Sequence, residues 1–85
     1  MQKFSYVIKD SLGIHARPAG LLVKEAKKYE SKIMISKGGK SSEASKLMAV
    51  MGLAVKCGDT VEIQAEGPDE ENACQGIKDF FETNL

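Results

Sequence analysis

Wherever this chain repeats apolar residues regularly, the repeat has one apolar side only, and its period switches between two residues and about 3.6. Elements of that kind have to cover one another in layers. In Phe4–Lys9, Phe4, Tyr6 and Ile8 fall on one side, which predicts a half-buried strand ending at Asp10-Ser11. Ala19, Leu22, Val23, Ala26 and Tyr29 then form a helical stripe, and the helix is expected from about Ala16 to Tyr29. Pro18 fits its first turn, where a missing N–H costs nothing, and Lys24, Lys27 and Lys28 suit its C-terminal end. Lys32–Ser36 alternates about Ile33 and Ile35, and Gly38-Gly39 predicts a tight hairpin into Lys40–Glu43. Ser45–Val55, rich in Leu and Met, reads as a short helix with an apolar exposed side. Thr60–Glu66 is the cleanest strand, with Val61, Ile63 and Ala65 inward. Gly67-Pro68 stops it, Asp69 is a plausible N-cap, and Ala73, Ile77, Phe80 and Phe81 give the last helix its core stripe. The order βαββαβα predicts an α+β, open-faced β-sandwich: a four-stranded antiparallel sheet with three helices packed on one face.

Size and composition narrow the function. With 85 residues, 42% of them apolar and 28% charged, the expectation is one domain over residues 1–85 and no multidomain enzyme. A chain this short buries about 60–65% of its unfolded surface, so its chemistry should lie at the surface. No apolar run nears the ~20 residues of a membrane span, and Met1–Phe4 does not resemble the start of a signal peptide, so no membrane insertion and a cytoplasmic location are expected. Cys57 and Cys74 form neither a C-x-x-C pair nor a Cys/His cluster, so both are read as reduced packing residues and no metal site is expected. Net charge is zero, yet residues 1–40 carry nine Lys/Arg against three Asp/Glu and residues 41–85 the reverse, giving halves of +6 and −6. Such a dipole would steer an acidic partner toward the basic side, although ordinary solvated charge has the same composition. Neutrality, five aromatics and the lack of any Lys/Arg run argue against nucleic acid as the main ligand.

Enzyme motifs are largely absent, and one histidine remains. A lone histidine is usually structural, but His15 lies between Gly13-Ile14 and Ala16-Arg17-Pro18, directly before a helix whose free N–H groups and positive dipole end attract anions. The same positive end favours a neutral ring, as a nitrogen nucleophile requires. Arg17 offers a planar fork for phosphate oxygens, and Gly13 permits close approach. A nucleophile, a cation and backbone donors at one point are what phosphoryl transfer needs. Read separately, Gly13 makes a turn, Pro18 starts a helix and Arg17 is a surface charge; the combination is what points to chemistry.

Gly13-Ile14-His15-Ala16-Arg17-Pro18-Ala19 resembles the active-site segment of the HPr family, the histidine phosphocarriers of the bacterial phosphoenolpyruvate:sugar phosphotransferase system. The resemblance extends over the whole chain, including the short middle helix and Ala65–Glu71 leading into the last one. It implies that His15 accepts a phosphoryl group on Nδ1 from phosphorylated enzyme I and passes it to a histidine of a sugar-specific enzyme IIA. Ala16 and Arg17 would bind the phosphate, and Leu47, Met48 and Met51 would dock the partners. The protein would be a carrier rather than a free-standing catalyst, a monomer with no cofactor. The alternatives are an HPr-like regulatory protein that binds a transcription factor or metabolic enzyme, and an unrelated α+β binding module. Two departures stand out. Lys46 occupies the place of the serine that some relatives use for regulation, leaving Ser45, one residue earlier and about 100° around a helix, as the nearest candidate regulatory residue. Leu12 stands where several relatives have Ser or Asn, with Ser11 beside it.

Overall fold

The computed structural model describes residues 1–85 and follows the order β1 (Gln2–Val7), α1 (Ala16–Ala26), β2 (Lys32–Lys37), β3 (Lys40–Glu43), α2 (Leu47–Gly52), β4 (Thr60–Glu66) and α3 (Glu70–Asn84). The strands form one antiparallel sheet in the order β1-β4-β2-β3. Tyr6 pairs with Val61, Ile63 with both Phe4 and Ile35, and Ile35 with Ser42. The strand pleat therefore gathers Phe4, Tyr6, Ile33, Ile35, Val61, Ile63 and Ala65 on one face. The helices cover that face, leaving the other, with Lys3, Ser5, Glu62 and Gln64, open. This is the open-faced α+β sandwich expected from the one-sided periodicities.

Phe81 of α3 is fully buried at the centre, its ring edge-to-face with Tyr6 at 5.4 Å and with Phe4 at 6.1 Å. Burying a side chain of this size contributes on the order of 2–3 kcal/mol. Leu22, Ala26, Ile77 and Val50 complete the layer between sheet and helices. Gly76 of α3 makes room for Tyr29, just past the end of α1: a Cβ on residue 76 would collide with the Tyr29 hydroxyl. That hydroxyl donates to Glu25 Oε2 at 2.9 Å, and burial, then this bond, pushes the phenol up to about 12.

Five details depart from the sequence reading. β1 spans Gln2–Val7 rather than Phe4–Lys9: its last ladder pair is Val7 with Thr60, and Ile8 and Lys9 lie beyond it. α1 ends at Ala26, because the next N–H groups turn back by three residues, Lys28 to Glu25 and Tyr29 to Ala26. α2 is only Leu47–Gly52: Ala54 has φ +52°, which stops the helix, and Leu53 and Val55 are buried as part of a loop instead. Cys57 is exposed, in the turn before β4, whereas Cys74 packs half-buried against the core as expected. Asp69 holds the N-cap position of α3 without capping it; its carboxylate accepts from the N–H groups of Glu30 and Ser31 and from the Ser31 hydroxyl.

Those bonds, the Ser31 hydroxyl foremost, hold the Asp69 carboxyl below the usual carboxylate range. A depressed folded-state value gives stability that is complete above the unfolded carboxyl pKa, about 4, and is lost as pH falls through the folded one. Asp69→Asn should therefore lower the melting temperature at pH 7 and flatten its fall on the acid side below about pH 4. Thermal melts of both proteins across that window measure it.

Candidate phosphoryl-acceptor site

His15 occupies the N-cap of α1 with extended backbone, φ −104° and ψ −171°, and its carbonyl accepts from the Ala19 N–H at 2.9 Å. Its side chain caps nothing and is half-buried. The N–H groups of Ala16 and Arg17 have no partner in the chain, as the first turn of any helix requires unless a side chain intervenes. Arg17 is exposed and forms no ion pair, although five other ion pairs are present. His15, Arg17, Pro18 and Leu21 line a shallow cleft of about 210 Å³, closed on the other side by Asp10, Thr83 and Asn84. Of the residues singled out in the sequence, the structure places His15 and Arg17 on this cleft and the Ala16 N–H beside them in the first turn. The sequence reading missed Asp10, Thr83 and Asn84, whose arrival at the cleft is set by packing, and Leu21, whose only signal was an apolar residue off the α1 stripe.

The loop before His15 is held in place by bonds at nearly every residue. Lys9 and Asp10 N–H groups donate to Leu85 O at 2.6 and 2.8 Å, Gly13 N–H to Asp10 O at 2.9 Å, and Ile14 N–H to Val55 O at 3.1 Å. At Leu12 only the backbone is engaged, its N–H donating to Asp10 Oδ1 at 2.8 Å, and Ser11 makes no compensating side-chain bond. Gly13 has φ +68°, and a Cβ on it would lie 2.3 Å from Val55 O and 2.7 Å from Lys56 Cα. Only glycine meets both demands.

Leu47, Met48 and Met51 are 41%, 78% and 37% exposed, so α2 turns an apolar side outward while Val50 is buried beneath it. Leu21 and Leu12 add exposed apolar surface, at 39% and 70%. Lys24 on α1 and Lys27 at its C-cap are exposed and unpaired, whereas Lys46 lies 3.7 Å from Glu43 Oε2. Ser45 and Lys46 precede the helix rather than lying on it, so the expected 100° offset between them does not apply; Lys46 is the N-cap of α2. Ser45 is half-buried and lines a larger concavity of about 440 Å³ near the C-terminal end of α1, with Lys27, Tyr29 and Glu43. That concavity holds no histidine or cysteine.

Fold and site together define a small α+β protein that carries a histidine, a free cation and unpaired backbone donors around one surface cleft. The family model described as "PTS HPr component phosphorylation site" matches residues 2–83. The chain is 46% identical over 78 residues to the phosphocarrier protein HPr of Mycoplasma capricolum subsp. capricolum, covering 92% of this chain and 88% of that one. The crystal structure of HPr-C-His from Thermoanaerobacter tengcongensis superposes with a TM-score of 0.94 at 40% identity, over 98% of this chain and 93% of that one. An HPr dimer from the same organism matches with a TM-score of 0.78 at 40% identity, over 98% and 95% of the two chains. The chain belongs to the HPr family of bacterial phosphocarrier proteins of the phosphotransferase system. No helix is long and apolar enough to cross a membrane.

Gly13→Ala should lower stability by about 2 kcal/mol or more, since it combines a left-handed backbone with a backbone clash. Gly38→Ala, also at positive φ but in open space, should cost less, about 1 kcal/mol. Urea denaturation of the two variants measures the difference.

Proposed function

We propose that this chain carries a phosphoryl group on His15 Nδ1, taking it from phosphorylated enzyme I and giving it to a histidine of a sugar-specific enzyme IIA. The observation that carries this reading is the cleft shared by His15 and the unpaired Arg17 at the mouth of α1, where the Ala16 and Arg17 N–H groups are free. In the first step the lone pair of a His15 ring nitrogen forms the new N–P bond. The N–P bond of the donor phosphohistidine breaks, and its electron pair returns to the donor ring. The second step is the same exchange with enzyme IIA as acceptor. Charge on the phosphoryl oxygens is met by the first-turn N–H groups and the Arg17 guanidinium, fixed donors that need no rearrangement during transfer. In this reading the cytoplasmic carrier contributes His15, Arg17 and the first-turn N–H groups, its partners contribute the donor and acceptor histidines, and no cofactor is required.

Leu47, Met48 and Met51 serve in this reading as the docking surface for both partners, and Lys24 and Lys27 draw in acidic ones. A serine switch at Ser45 has less support: the side chain is half-buried and lines the other concavity, and Lys46 carries a cation where a phosphoserine would be anionic.

His15→Ala should abolish acid-labile labelling by enzyme I and phosphoenolpyruvate. Arg17→Ala should keep its melting temperature within a few degrees, being exposed, and slow transfer by roughly tenfold or more. Undiminished labelling of His15→Ala contradicts the reading. Met48→Asp should raise the KM for enzyme I about tenfold or more while His15 still reacts normally with phosphoramidate, a donor too small to need docking. Steady-state rates with the two donors check this.

A further inference from the structure

Asp10 is the one residue of the histidine loop that makes three hydrogen bonds to other residues. Its N–H donates to Leu85 O at 2.8 Å, its carbonyl accepts from Gly13 N–H at 2.9 Å, and its carboxylate Oδ1 accepts from Leu12 N–H at 2.8 Å. The last two bonds close an Asx turn and a backbone turn over Asp10–Gly13. The first ties that turn to the end of α3, which forms the far wall of the cleft with Thr83 and Asn84. From Gly13 the chain reaches His15 through one residue, Ile14, which is buried and bonded to Val55. The turn on one side and the Ile14–Val55 bond on the other together set where the histidine stands.

We propose that Asp10 is a positioning residue for His15: its carboxylate fixes the turn that sets the imidazole against Arg17 and the first-turn N–H groups. It acts through Leu12 and Gly13, and touches no reacting atom. The position needs an acceptor oxygen at the reach of an Asx side chain, not a negative charge, since an anion beside an incoming phosphoryl group would oppose it. In-line transfer is sensitive to displacements of about 1 Å, which cost on the order of 100-fold in rate, so partial loosening of the turn should be visible kinetically. The side chain's single bond to an exposed N–H contributes little to folding, which separates positioning from stability.

This proposal rests on His15 being the phosphoryl acceptor, and the test separates the two. Labelling of wild type, His15→Ala, Asp10→Ala, Asp10→Asn and Asp10→Glu is measured with phosphoramidate and with enzyme I plus phosphoenolpyruvate. Asp10→Ala should lose about fivefold or more in maximal rate with both donors, with an unchanged KM for enzyme I and a melting temperature within a few degrees of wild type. Asp10→Asn keeps an oxygen at the same reach and should restore most of the rate. Asp10→Glu keeps the charge but misplaces the oxygen, and should stay slow; the Asn and Glu pair decides the matter even if Asp10→Ala fails to fold. Wild-type rates in Asp10→Ala, or an Asn variant slower than the Glu variant, overturn the positioning role and leave the carrier reading intact. Full labelling of His15→Ala overturns both.

Discussion

The candidate site depends on one close contact: the backbone of Gly13 lies against the backbone of Val55 and Lys56, at a distance that no side chain on residue 13 would allow. The Ile14–Val55 hydrogen bond closes the same contact. Through it, the loop that carries His15 is braced by the segment that leaves α2, and so by the helix whose exposed apolar side is the proposed docking surface. The opposite side of the loop is fastened to the end of α3 at Leu85. Three parts of the chain distant in sequence thereby meet at one histidine.

Charge is distributed to match. Several lysines are spent internally: Lys28 on Glu25, Lys37 on Asp59 and Lys32 near Glu43. Arg17 and Lys24 on α1 and Lys27 at its C-cap are not. Lys3, Lys9, Lys40, Lys56 and Lys78 are also free of ion pairs, but Arg17 stands at the helix end whose positive dipole faces the cleft, where it reinforces the field. The acidic half of the chain spends its carboxylates elsewhere, as Asp69 does in tying the α1–β2 turn to the start of α3.

Much of this was legible in the sequence because it is local. β4 is read to the residue from three inward positions, and the hairpin from Gly38-Gly39, both of which adopt positive φ. His15, Ala16 and Arg17 are neighbours in the chain, so the helix-mouth site needed no long-range knowledge. What was missed is non-local or competes with a local preference. The extent of α2 was overestimated because Leu53 and Val55 are apolar for the sake of the core, not of a helix face. Asp69 looks like a cap by position, yet Ser31, 38 residues away, claims its carboxylate. Cys57, in no metal or redox motif, has the sequence marks of a packing residue yet sits exposed in a turn.

In the proposed carrier the phosphoryl group sits at the mouth of α1, on His15, against the Ala16 and Arg17 N–H groups. Amide ¹H–¹⁵N spectra of the protein before and after phosphorylation test it most directly. A phosphate held there predicts the largest amide-proton displacements at Ala16 and Arg17, with little change around Ser45. Largest displacements around Ser45 and Lys46, with Ala16 and Arg17 unmoved, would contradict it.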